Sequence, residues 1–199
     1  AISNYCKVNN AHHLVLIASD PAHNRFAPGA NYGTVDKRLV RDPNTSIVLA
    51  DVALNTKLCI STVKLSAKHI DTTTGMLRIA ANKGSFIFAS PKQRMKAVPV
   101  RKGKLPYCVM TPGSITSADY SSTNYMSQRT AFIANEDHVL GGIIVEVVDD
   151  TIYHFRQFQL DEDGSFFDFE KHYKANGQIG TVKPRMILGD IHSDSIDPV

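Results

Sequence analysis

The chain has 199 residues, 43% of them hydrophobic and 21% charged, so it can bury a core as one large domain or two small ones. No apolar run approaches the roughly 18 residues needed to span a bilayer, and the first ten residues lack the order of a signal peptide, so a cytoplasmic protein without a membrane segment is expected. Three cysteines at wide spacing fit neither a disulfide framework nor a zinc knuckle.

The first two thirds of the chain read as short strands separated by turns. Residues 13–18 form a continuous apolar run that predicts a buried strand. Residues 46–52 and 58–65 are rich in β-branched side chains and predict a strand pair. Residues 76–81 and 85–89 are predicted as two strands around a turn at residues 82–84.

The last third predicts an antiparallel meander. Strands are expected over residues 142–148, 151–160 and 165–169, with acidic or glycine-containing turns between them. No amphipathic helix of ten or more residues is evident. The sequence therefore predicts a β-rich α+β fold rather than a doubly wound parallel sheet.

Charge is unevenly distributed along the chain. Residues 72–118 contain no acidic side chain, whereas residues 136–170 carry ten carboxylates and a single arginine. Clustered cations can bind the phosphates of a nucleic acid, although a solvated basic surface would look the same in sequence. The candidate DNA-binding residues are Lys92, Arg94, Lys96, Arg101, Lys102 and Lys104.

Two Asp–His pairs are candidate metal ligands. Asp190 and His192 follow an apolar run and Gly189, so a strand end and a sharp turn would direct a carboxylate and an imidazole into one space. The alternative is a surface loop in which both side chains are solvated. Asp20 and His23 are a weaker pair because Pro21 and a wider spacing separate them, and Asp20 is expected to act as a turn residue.

The run MILGDIHSD, residues 186–194, resembles the first motif of the calcineurin-like metallophosphoesterases. In that family the Asp and His of this motif bind one metal of a two-metal pair, which implies Asp190 and His192 as ligands of Mn²⁺ or Mg²⁺. The family's further motifs follow downstream of the first, and the chain has only seven residues after His192. The resemblance therefore implies that these residues open a longer enzyme and are inactive alone.

Residues 84–116 and 138–158 resemble the region ahead of the phosphoesterase domain in tailed-phage proteins of host-DNA degradation and DNA transfer. This resemblance implies a β-rich accessory region over residues 1–180 and the start of a metallophosphoesterase domain at residues 181–199. It also implies a metal-dependent DNase, homo-oligomeric and active in the cytoplasm of the infected host. The alternatives are a non-catalytic nucleic-acid-binding module and a phage assembly module.

Overall fold

A computed structural model describes residues 1–17, 41–63, 65, 69–101, 106–118, 120 and 127–183. The helices are α1 (Ile2–Asn9), α2 (Leu77–Lys83) and α3 (Gln128–Glu136). The strands are β1 (His13–Leu16), β2 (Thr45–Val48), β3 (Val52–Ala53), β4 (Leu58–Ser61), β5 (Ser85–Phe88), β6 (Ser90–Val98), β7 (Tyr107–Gly113), β8 (Gly141–Val147), β9 (Tyr153–Gln159), β10 (Phe166–Asp168), β11 (Lys171–Tyr173) and β12 (Ile179–Thr181). Short helices and many strands confirm the predicted β-rich α+β class.

The largest sheet has five strands in the order β3-β4-β5-β7-β6. Strands β4, β5 and β7 run parallel, and β3 and β6 are antiparallel edge strands. Parallel neighbours need a crossover connection, and α2 lies in the connection between β4 and β5. The strand predicted over residues 76–81 is therefore wrong. Met76, Ile79 and Ala80 instead recur at helical spacing and pack into one core cluster.

The two faces of this sheet are covered by different elements. Phe86 and Phe88 point to one face, where they pack with Met76 and Ala80 beside α2. Ile87 points to the opposite face, into a cluster that includes side chains of β8 and β9. Because side chains alternate along a strand, consecutive residues of β5 supply both cores.

The β8–β9 hairpin is joined to the large sheet by side-chain and backbone bonds. The Gln93 amide donates to the carbonyl oxygens of Pro112 and Phe158, at 3.1 and 2.9 Å. Beyond β7, Ser114 forms an isolated parallel bridge with Leu140. Gly113 makes this approach possible, because its φ is +86° and a Cβ there would lie 2.7 Å from the Val139 carbonyl oxygen.

The C-terminal strands depart from the predicted meander. Strands β8 and β9 pair as expected, but β10 pairs with β11, and β11 with β12, in a separate three-stranded antiparallel sheet. This sheet packs with α1 through Tyr5, Phe166 and Tyr173. The predicted domain boundary between residues 180 and 181 falls within β12, and the division into an accessory region and a metallophosphoesterase domain stays a prediction.

The predicted pairing of residues 46–52 with residues 58–65 is confirmed only at Val52, the last residue of the first range. Val52 and Ala53 pair antiparallel with Ile60 and Cys59. The preceding strand β2 pairs in parallel with β1 instead. Within the described ranges, no helix is both long and apolar enough to cross a membrane.

Candidate nucleic-acid interface

The described residues cover four of the six predicted DNA contacts and neither predicted metal ligand. Asp190 and His192 lie outside the described residues, as do Lys102 and Lys104. The weaker pair, Asp20 and His23, also lies outside them. In the part of the chain that is described, no three or more His, Cys, Asp or Glu residues form a group that could hold a metal ion. The metal site therefore stays a prediction.

Two of the predicted DNA contacts share one face of the edge strand β6. Arg94 pairs with Thr111 of β7, and Lys96 pairs with Val109. Val109 belongs to the core on the α2 side, and paired residues point to the same face of a sheet. Arg94 and Lys96 therefore both project on the α2 side, about 6.8 Å apart along the strand.

These two cations are both partly exposed, and another predicted contact, Arg101, is exposed. The Arg94 side chain is 40% exposed, Lys96 is half-buried, and Arg101, beyond the end of β6, is exposed. The Arg94 guanidinium donates from Nη1 to the Gln93 carbonyl oxygen at 3.1 Å, which orients the group. A guanidinium has five N–H donors, so Arg94 can still offer a two-pronged edge to a phosphate.

Lys92, a third predicted DNA contact, does not reach the surface. Its side chain is 2% exposed, and its ammonium donates to Asp137 Oδ2 at 2.8 Å. The β6–β7 register shifts between Ser90 and Gln93, so Lys92 falls in a bulge outside the regular pairing. In this conformation Lys92 is a buried ion-pair partner and presents no charge to a polyanion.

Asp137 links this part of β6 to the end of α3. Its carboxylate also accepts from Arg94 Nη2, at the longer distance of 3.4 Å. The hydrogen bond from Lys92 is the largest cause that lowers the pKa of Asp137, and the charge of Arg94 contributes less. The three side chains together carry one net positive charge, and the exposed member is Arg94 rather than Lys92.

Other carboxylates near the basic and acidic segments have partners of their own. Hydrogen bonds from Thr73 are the main reason that the pKa of Asp71 falls to about 2, and the charge of Lys96 lowers this pKa by a smaller amount. In the acidic segment, Arg156 Nη2 bonds Glu146 at 2.8 Å and Asp168 at 3.0 Å. The single arginine of that segment therefore pairs with two of its ten carboxylates, and the three groups together keep one net negative charge.

A cavity of about 390 Å³ lies at the carboxyl ends of the parallel strands β1, β2, β4 and β5. Its polar lining side chains are Ser61 and Thr62, both of which donate to Asp51. The remaining lining residues are Leu16, Ile17, Val48, Leu49, Val63 and Ala89. None of these described lining residues is charged, so they offer no cation to a polyanion.

Sequence reasoning missed Asp137 and the two glutamines that fix β6. Gln157 donates to the carbonyl oxygens of Arg94 and Thr111, both at 3.1 Å, and thereby ties β9 to the basic strand. Nothing in the local sequence marks Gln93, Gln157 or Asp137 as partners of β6. Their role depends on contacts 43 to 65 residues apart in the chain.

No protein-family model matches the chain, and no solved structure matches it. Among curated proteins, the chain is similar to Protein A1 of Escherichia phage T5, with 28% identity over 121 residues. The matched region is 59% of this chain and 21% of the phage protein. The chain is thus a distant relative of a phage protein and corresponds to about a fifth of that relative's length.

Proposed function

We propose that the chain is the DNA-binding N-terminal part of a phage metal-dependent DNase. The observation that carries the DNA-binding part is the pair Arg94 and Lys96 on one face of an edge strand, within a segment free of acidic residues. Over their separation of about 6.8 Å a DNA strand presents about two phosphates. Contacts to phosphate read no bases, so binding independent of sequence is expected.

The catalytic part of the proposal is supported by the motif at residues 186–194 and by the similarity to a phage protein. In the proposed enzyme, Asp190 and His192 would hold one of two Mn²⁺ or Mg²⁺ ions. Such a pair of metals activates a water and stabilises the leaving oxygen of a phosphodiester. The homo-oligomeric state and the cytoplasm of the infected host stay predictions from the family resemblance.

A non-catalytic DNA-binding or phage assembly module is the second candidate. The observation that favours it is the position of the described basic face on β6, β7 and the end of α3, which lie apart in sequence from the motif at residues 186–194. A longer protein with no metal-dependent activity on DNA would favour this second candidate.

The 199-residue chain is expected to bind DNA without hydrolysing it, because Asp190 and His192 are too few to hold two metals. A fluorescently labelled duplex is titrated with the chain in the presence of Mn²⁺, and both anisotropy and strand length are followed. Anisotropy should rise while the strands stay intact, whereas a protein that continues past Val199 should cut them.

Two outcomes would contradict this prediction. Constant anisotropy at low salt would remove the DNA-binding proposal. Cleavage by the 199-residue chain that disappears in Asp190→Ala would mean that a complete metal site already exists within it.

A further inference from the structure

Lys92 is held too firmly to act as a direct ligand of DNA. Its backbone N–H donates to Ser90 Oγ at 3.1 Å, and its carbonyl oxygen accepts from Thr111 Oγ1 at 2.6 Å. The side chain is 2% exposed and ends on Asp137. Burial of a lysine is costly unless it is paired, so this arrangement needs the Asp137 carboxylate.

The Asp137 carboxylate therefore lies close to two cations. Lys92 Nζ lies 2.8 Å from one of its oxygens and Arg94 Nη2 lies 3.4 Å from the other. Coulomb attraction is stronger for the shorter and more buried pair because water screens it less. The negative charge of Asp137 is thus largely balanced by Lys92, and Arg94 keeps most of its own charge.

We propose that Lys92 is a positioning residue for nucleic-acid binding, which acts by neutralising Asp137 so that Arg94 remains available to a backbone phosphate. This inference rests on the proposed function, because it assumes that Arg94 contacts DNA. Without Lys92, the carboxylate has Arg94 as its remaining partner in this cluster. The Arg94–Asp137 pair then becomes neutral, and one phosphate contact is lost although Lys92 never touches the DNA.

The test measures the affinity of the 199-residue chain for a DNA duplex between about 50 and 200 mM salt. Lys92→Met should weaken binding and reduce the slope of log affinity against log salt by about one unit. The affinity lost over that salt range should then be about threefold smaller than in the wild type. The double variant Lys92→Met/Asp137→Asn should restore both affinity and slope, because Arg94 has no carboxylate to neutralise it.

A matched pair controls for net charge alone. Lys83 pairs with Asp51 near β3, at the opposite edge of the same sheet. Lys83→Met and Lys83→Met/Asp51→Asn change the charge by the same amounts and should change the slope little. In an Arg94→Met background, Lys92→Met leaves Asp137 without a cation and can lower the affinity, but it should not reduce the slope further, because the phosphate contact of Arg94 is already lost.

Several results would overturn the inference. One is that Arg94→Met weakens DNA binding while Lys92→Met does not. This result would reject the inference about Lys92 and leave the DNA-binding proposal intact. Another is a reduction of the slope by Lys92→Met that matches the reduction by Lys83→Met or persists in the Arg94→Met background. If Lys92→Met does not fold, the double variant Lys92→Met/Asp137→Asn provides the test. It should bind DNA with the wild-type affinity and slope, and a lower slope for the double variant would overturn the inference. An Arg94→Met variant that binds like the wild type removes both the interface and the inference.

Discussion

Asp190→Asn in the longer protein should reduce Mn²⁺-dependent DNase activity by at least about a hundredfold. A ligand carboxylate holds the metal and helps it to activate water, and a metal supplies several kcal/mol of transition-state stabilisation. Each 1.36 kcal/mol lost from that stabilisation lowers the rate about tenfold. The measurement is the initial rate of DNA hydrolysis at saturating Mn²⁺.

Asp20→Asn is the matched control, because Asp20 also follows a predicted strand and precedes a histidine. Strand β1 is confirmed over His13–Leu16, whereas Asp20 itself lies outside the described residues. Because Asp20 is expected to be a turn residue, Asp20→Asn should lower the free energy of unfolding by at most about 1–2 kcal/mol and change the activity little. Equal losses for the two variants at matched folding, or a larger loss for Asp20→Asn, would show that GDIH is not the metal motif.

Asp137→Ala should lower the free energy of unfolding by about 3 kcal/mol, because it leaves the Lys92 ammonium buried without a partner. Removing one member of a buried ion pair typically costs about 3–5 kcal/mol. The lower value is expected here because Asp137 is 28% exposed and water can enter beside it. Urea unfolding followed by circular dichroism gives the free energy, and the midpoint of thermal unfolding should fall by about 6–12 °C.

Lys92→Met is the control for this second prediction, because it removes the buried charge itself and keeps a side chain of similar volume. It should cost less than about 1.5 kcal/mol, since Asp137 keeps Arg94 and partial contact with water. An equal or larger cost for Lys92→Met than for Asp137→Ala would contradict the account of the buried pair.

The ion pair also gives stability a dependence on pH. Because Lys92 lowers the pKa of Asp137, the contribution is fully present above the ordinary aspartate pKa of about 3.9. It is lost as the pH falls through the lower pKa of the folded state. Asp137→Ala should therefore lose less stability than the wild type when the pH is lowered from about 5 to 2.

Strands were predicted correctly where a short run of neighbouring residues carries the strand pattern. The runs predicted as strands over residues 13–18, 85–89, 142–148 and 151–160 overlap β1, β5, β8 and β9. The run at residues 76–81 was misassigned because its apolar side chains suit either a strand or a short helix. A helix forms here because β4 and β5 are parallel and need a crossover connection. The six residues alone do not show that the neighbouring strands are parallel.

The basic segment shows the same limit for the candidate site. Lys92 and Lys96 look alike in sequence, yet the Lys92 side chain is 2% exposed, whereas Lys96 is only half-buried. The difference arises from a bulge in β6 and from a carboxylate 45 residues later in the chain. Alternation along the strand does account for the shared face of Arg94 and Lys96.

The salt dependence of DNA binding by Arg94→Met/Lys96→Met tests the central claim most directly. The control is Lys171→Met/Lys174→Met, which removes two charges from β11 and the turn after it. If β6 holds the DNA backbone, the slope of log affinity against log salt should fall by about two units in the first variant and stay near the wild-type value in the second. Equal slopes for the wild type and the β6 variant would show that this strand is not the nucleic-acid interface.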